Sequence, residues 1–171
     1  MPRVRSFPPI EDARARVLVL GSMPGGASLA AGQYYAHPQN LFWRIMGDLL
    51  GARPGLSYAA RTRLLKANGI ALWDVLESCV RAGSLDSAIE ETSIAVNDFT
   101  AFYAAHPRIG SVFFNGAKAE ASYRRYVVPR LGTGGPAVEY LRLPSTSPAH
   151  AALSFEKKRA AWKAVLRALA D

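Results

Sequence analysis

The hydrophobic pattern of this chain is a series of short apolar runs separated by stretches in which apolar residues recur every third or fourth position. Val17–Leu20 and Ile70–Trp73 are apolar at every position, as strands covered on both faces are, and Ser111–Phe114 and Val138–Leu143 are read as two further short strands. Between them, Leu41, Phe42, Ile45 and Leu49 fall on one side of a helix predicted over Pro38–Leu50, with Gly51 at its end. Further helices are predicted over Arg61–Asn68, near Asp98–His106 with Asn97 or Asp98 as N-cap, and within Ala117–Tyr126. A last one is predicted over Ser154–Ala170, with Phe155, Trp162, Leu166 and Leu169 on its apolar side. Strands alternating with helices imply right-handed crossovers and a mostly parallel sheet covered on both faces.

In an open parallel sheet, ligands bind beyond the carboxyl ends of the strands. Gly21-Ser22-Met23, Trp73-Asp74, Asn115-Gly116 and Ser145–His150 stand there. The loop Gln33–Asn40, QYYAHPQN, adds two phenols, an imidazole and three amides to the same edge. The convergence of these groups, more than any one of them, points to a pocket.

Composition narrows the setting. The 171 residues are most simply a single domain, 1–171, with no repeat or low-complexity tract. No apolar run is long enough for a membrane span, and the N-terminus has no apolar stretch of the signal-peptide kind. A cytoplasmic, monomeric protein is expected. The single cysteine, Cys79, can form neither an internal disulfide nor an iron–sulfur or structural zinc site, and no metal or cofactor is expected. The net charge of +8, carried mostly by arginine, suits phosphate recognition and a nucleic-acid partner. Codon bias toward Arg and Ala would give the same excess.

GSMPGGASL (21–29), QYYAHPQNLFW (33–43), ALWD (71–74), FFNGAKA (113–119) and LPSTSPAHA (143–151) resemble, in order, the motifs of the uracil-DNA glycosylase superfamily, nearest to its hypoxanthine-DNA glycosylases. The AHPxNxFW segment is also similar to the mismatch-specific uracil/thymine enzymes. The resemblance implies a three-layer α/β/α sandwich with a short, mostly parallel four-stranded sheet. It also implies removal of a deaminated base from DNA without metal or cofactor, in base excision repair, in the nucleoid.

It assigns roles as well. Tyr35 is where related enzymes place a ring over the flipped base, and Tyr34 is its support. The mismatch-specific enzymes hold the attacking water with an asparagine in GINPG. Here GSMPG puts Met23 at that position, and Asn40 of HPQN is the implied water-holding, catalytic residue. The leaving purine is expected to meet the Gly21 turn, the backbone N–H groups of Ser22 and Met23, the Asn115 amide and His150. Asp74 stands where uracil-specific relatives read the base with asparagine; its carboxylate could accept N1–H of hypoxanthine or merely cap a helix. His150 replaces the expected asparagine of SPAN. Ser145, Thr146, Ser147 and Pro148 are expected to grip the DNA backbone and help wedge the duplex. His37 is expected to be a structural loop residue and His106 a helix-terminal one. No lysine is expected in the pocket, so no Schiff base would form and the strand would stay uncut.

Two other classes remain. Ser22 with His37 or His150 and Asp74 could form a hydrolase triad, although GSMPG is not a GxSxG elbow. Gly21, Gly25 and Gly26 could cradle phosphate in a module that binds without chemistry, although the Walker lysine and Rossmann spacing are missing. Within the glycosylases, uracil or a mismatched pyrimidine is the runner-up substrate.

Overall fold

Alternation along the strands builds two cores from one sheet. In the computed structural model, which describes residues 2–171, four strands run parallel: β2 (Val17–Gly21), β3 (Ile70–Asp74), β6 (Ser111–Asn115) and β7 (Glu139–Leu143), in the order β3-β2-β6-β7. Because successive side chains point to opposite faces, Leu18, Leu20, Ala71, Trp73, Val112 and Phe114 enter one core. Val17, Val19, Ile70, Leu72 and Phe113 enter the other. The first core is closed by α4 (Phe99–Ala105), α5 (Ala117–Ser122) and the π-helical turn Tyr123–Val127 that continues into α6 (Val128–Leu131). The second is closed by α2 (Phe42–Leu50), α3 (Tyr58–Ala67), α7 (Phe155–Trp162) and α8 (Ala164–Ala170). Helix, sheet and helix form the three layers expected.

Several boundaries differ from expectation. Helix α2 starts at Phe42, not Pro38, because 37–40 forms a turn of its own and the Asn40 side chain accepts the Phe42 N–H (2.9 Å). Asp98 is the N-cap of α4, accepting from the Ala101 N–H at 3.0 Å, while Asn97 donates its side-chain amide to the Asp74 carbonyl at 2.8 Å. The last helix is divided at Lys163 into α7 and α8. A short helix, α1 (Gly26–Ala31), follows the strand-one loop; its GASLAA sequence has no apolar period to announce it.

A second, antiparallel sheet was not expected. It consists of β1 (Arg3–Arg5), β4 (Leu76–Val80) and β5 (Ala95–Val96), with β4 in the middle. Only Val75 separates β4 from β3, so the chain passes directly from one sheet to the next. That continuity fixes where the segment after β4 returns, across the carboxyl edge of the parallel sheet.

Candidate active site

The four parallel strands end at one rim, and the loops leaving them enclose a cleft of about 740 Å³ together with the 33–40 loop and the 84–87 segment. Gly21, Ser22, Met23, Tyr35, Asn40, Asp74, Asn115, Ser145, Thr146, Ser147, Pro148 and His150 all line it. Residues spread over 130 positions are thus brought around one hollow. A second cleft of about 710 Å³ adjoins it, sharing Tyr35, His37, Asn40 and Pro148 and bordered by Arg44 and Arg61.

Buried polar atoms without partners concentrate here. The Tyr35 hydroxyl, Asp74 Oδ2 and His150 Nδ1 are all inaccessible and make no hydrogen bond, and all three residues line the larger cleft. An unmet buried polar atom costs roughly 1–3 kcal/mol, so three in one hollow mark a place shaped for a polar ligand.

Gly21 makes the arrangement possible. A Cβ there would lie 2.5 Å from Asp74 Oδ1 and 2.8 Å from the Tyr35 hydroxyl, so only hydrogen lets carboxyl and phenol approach the strand end together. Tyr35 is the sole non-glycine residue with positive φ (54°) among those described, a conformation that is uncommon for aromatic residues. Phe42 stacks on its ring at 4.3 Å between centroids, fixing the ring in the cleft wall. Burial, with the charge of Asp74 nearby, pushes the Tyr35 phenol well above its usual range. Tyr34, which also lines the cleft, is buried and donates its hydroxyl to the Pro8 carbonyl (2.9 Å), and Trp43 donates to its backbone carbonyl (2.8 Å).

Asp74 is 3% exposed. Burial and the neighbouring Asp86 carboxylate, opposed by Arg81, push its carboxyl up to about 7. Ser22 donates its hydroxyl to Asp86 Oδ1 (2.6 Å), and no histidine bonds to Ser22, so the hydrolase-triad arrangement is not formed.

Asn40 keeps one lone pair of Oδ1 on the Phe42 N–H, which fixes its carboxamide at the cleft wall with a second lone pair to offer. Asn115 spends its amide largely on the fold: Nδ2 donates to Thr146 Oγ1 and Oδ1 accepts the Thr146 N–H, both at 2.9 Å. Thr146 corrects the expectation that it grips DNA. It is fully buried, and its carbonyl accepts the Leu41 N–H (3.0 Å), so it joins β6, the 33–41 loop and the 144–150 loop. Gly116, at φ +95°, lets Ser145 close against the β6 turn. The His150 carbonyl accepts from the Lys158 ammonium, whose burial lowers its pKa. His37 Nδ1 accepts the Gln39 N–H (3.1 Å), a loop-forming contact. His106 ends α4, stacked on Phe102 and paired with Glu11.

Four residues of the cleft region went unrecognised in the sequence. Arg81 is buried, donating to the carbonyls of Gly83 (2.8 Å) and Pro24 (2.7 Å). Ser84 and Asp86 line the cleft and bond to the Gly26 N–H and Ser22 hydroxyl. Lys118 also lines it, against the expectation that no lysine would, and its ammonium is ion-paired with Glu91. The available signal was the turn chemistry of the run 81–87, with Gly83, Ser84, Asp86 and Ser87. Among the described residues, no group of three or more His, Cys, Asp or Glu side chains could hold a metal ion, and no helix is long and apolar enough to cross a membrane.

Residues 8–170 match the family model of the uracil DNA glycosylase superfamily. The chain is 37% identical to a protein of Methanosarcina acetivorans named hypoxanthine DNA glycosylase, over 95% of this chain and 98% of that one. It is 39% identical to one of the same name from Methanosarcina barkeri, over 67% of this chain and 72% of the relative. A solution NMR structure from M. acetivorans, described as a candidate uracil DNA glycosylase, superposes with a TM-score of 0.80 at 35% identity, covering 99% of this chain and all of that one.

Proposed function

This chain belongs to the uracil DNA glycosylase superfamily, and from that premise we propose that the deaminated base it excises is hypoxanthine. It is a DNA glycosylase, acting on DNA. The name carried by both curated relatives supports the choice of base, and the cleft with its three unpartnered buried polar atoms supports the choice of place.

The base must leave the stack before its bond to the sugar can be reached. In the cleft, the Tyr35 ring backed by Phe42 supplies an apolar face, a contact type worth about 1–3 kcal/mol per base. Asp74 faces the base edge, where N1–H offers a donor to its unpartnered Oδ2. Asn115 contributes the one amide hydrogen left free by Thr146, and the Gly21–Met23 turn and His150 complete the wall. Asn40 orients water through the open lone pair of Oδ1. The water oxygen then bonds to C1′ of the sugar while the bond from C1′ to N9 breaks. The purine departs with the bonding pair and takes up a proton as the water loses one, leaving an abasic site. A neutral amide is a weak base, so positioning and stabilisation of charge carry the rate. Ser145, Ser147 and Pro148, on the outer side of the buried Thr146 strut, face the DNA backbone. The same reading has the chain acting as one domain and as a monomer, in the cytoplasm, at the nucleoid during repair.

The test is incubation with labelled oligonucleotides carrying a single hypoxanthine, uracil or xanthine, followed by alkali. Alkali-dependent cleavage at hypoxanthine is the expected result. Cleavage at uracil alone would transfer the assignment to the runner-up substrate. DNA binding with no abasic site at any base would leave a binding module.

A further inference from the structure

We propose that Asp74 meets the base as a neutral carboxylic acid, accepting N1–H of the purine with one oxygen and donating to O6 with the other, an inference that rests on the glycosylase reading. Asp74 is 3% exposed at the end of β3, and the Asn97 amide fixes its main-chain carbonyl (2.8 Å). Oδ2 is inaccessible and unpartnered, and the donors of the adjoining segments are engaged elsewhere. The Ser22 hydroxyl donates to Asp86 (2.6 Å), and Arg81 turns Nε and Nη2 to the carbonyls of Gly83 (2.8 Å) and Pro24 (2.7 Å). A buried carboxylate without donors to meet it is strongly disfavoured, and a proton removes its charge. Burial and the Asp86 carboxylate act in that direction, Arg81 against it, and the carboxyl is pushed up to about 7. Tyr34 and Tyr35 lie near it as neutral phenols, both raised by burial above their usual range. His37, His150 and the ion-paired Lys118 stand in the same wall.

The neutral form suits the lactam edge of hypoxanthine, where a donor, N1–H, and an acceptor, O6, stand side by side. A protonated carboxyl offers the complementary acceptor and donor on adjacent oxygens. Gly21, where a Cβ would come within 2.5 Å of Oδ1, leaves that oxygen its room. An ionised carboxyl would accept N1–H but set a negative charge against the lone pairs of O6. The sign of that charge matters more as the bond to the sugar breaks. The bonding pair enters the purine, and part of its negative charge gathers at O6. A hydroxyl donor there stabilises the departing base, whereas a carboxylate would oppose its departure. Asp74 keeps its proton throughout, and the purine is protonated from solvent.

The experiment measures single-turnover excision of hypoxanthine from about pH 5 to about pH 8 for wild type, Asp74→Asn and Asp86→Asn. Wild type should lose about tenfold across that range, with the fall centred near 7 as the acid ionises. Asp74→Asn keeps a donor and an acceptor but has no proton to lose, so its rate should change by less than about twofold. Asp86→Asn retains an acceptor for Ser22 and removes a charge, so the fall should move to lower pH. A fall that persists in Asp74→Asn, a wild-type rate that is flat or rises with pH, or an Asp86→Asn profile identical to wild type overturns the proposal. In parallel, carbon-13 NMR of the carboxyl groups, with the Asp74 signal identified by its loss in Asp74→Asn, should show that carboxyl titrating near 7 in the free protein. Titration in the ordinary carboxylate range overturns the neutral acid. A wild type that excises nothing at any pH defeats the glycosylase reading instead, and the carboxyl titration still decides whether Asp74 carries the proton.

Discussion

Replacing Gly21 with alanine adds one methyl group at the point where carboxyl and phenol meet the strand end. That methyl would lie 2.5 Å from Asp74 Oδ1 and 2.8 Å from the Tyr35 hydroxyl, both closer than real Cβ contacts allow. Neither neighbour can retreat freely, because Asp74 is 3% exposed and Tyr35 is stacked on Phe42. Overpacking of this kind costs about 1–3 kcal/mol. At about 2–4 °C per kcal/mol for a chain of this size, the melting temperature should fall by about 2–12 °C. Excision should fall further than stability suggests: displacing both base-facing groups by about 1 Å is enough for a loss near 10²-fold. Urea denaturation and single-turnover excision, measured on the same preparation, read the two effects separately. Trimming the obstructed carboxyl, as Asp74→Ser, should relieve the clash, so the double variant should be more stable than the sum of the single effects requires. Wild-type stability and excision in Gly21→Ala would refute the claim that this glycine holds the cleft open.

Asn40→Ala should retain DNA binding and lose about 10²-fold or more in single-turnover excision, the scale for one positioned group; unchanged excision would remove Asn40 from the mechanism. Because the buried Asp74 carboxyl is raised from 3.8 to about 7, the folded chain keeps a proton that the unfolded chain has released. Stability should therefore fall as pH rises from about 4 to 7, by up to about 4 kcal/mol for this group. Urea denaturation across that range should show the slope flattened in Asp74→Asn, and parallel curves would contradict the assignment. Lys118, held in its ion pair with Glu91, should form no Schiff base, so borohydride added during turnover should trap no covalent protein–DNA adduct. Arg44 and Arg61 lie over the rings of Phe155 and Trp43 beside the smaller cleft. If phosphate lies there, Arg44→Ala with Arg61→Ala should lower the salt dependence of DNA binding by about 1–2 in log–log slope, measured by titration.

The parallel sheet was legible because strands covered on both faces are continuous apolar runs such as VLVL and IALW, too short for a helix and ended by polar turn residues. The antiparallel sheet was not. Two of the three residues of Arg3–Arg5 are charged, β5 has only two residues, and β4 carries Glu77 and Ser78 in its middle, so no period announced them. The site was legible as a set of positions, since topology sends every strand end to one rim. Its pairings were not. Ser22 with Asp86 and Asn115 with Thr146 join residues 64 and 31 positions apart, and nothing local to either marks the partner. Thr146 looked like a surface residue because Ser, Thr and Pro usually are; its burial follows from contacts made by β6 and Leu41.

That threonine has a mechanical consequence. One residue is bolted through its N–H to the side chain at the tip of a central strand and through its carbonyl to Leu41, the residue next to Asn40, the proposed holder of water. Any load that a bent duplex places on Ser147 and Pro148 travels through this joint rather than dissipating in a floppy loop. The lever arm is two residues long, so engagement of the nucleic acid outside is transmitted to the alignment of Asn40 inside. Thr146→Val removes the hydroxyl that accepts from the Asn115 amide and leaves the two backbone bonds of Thr146 in place, so it should weaken the coupling of grip to turnover without unfolding either half.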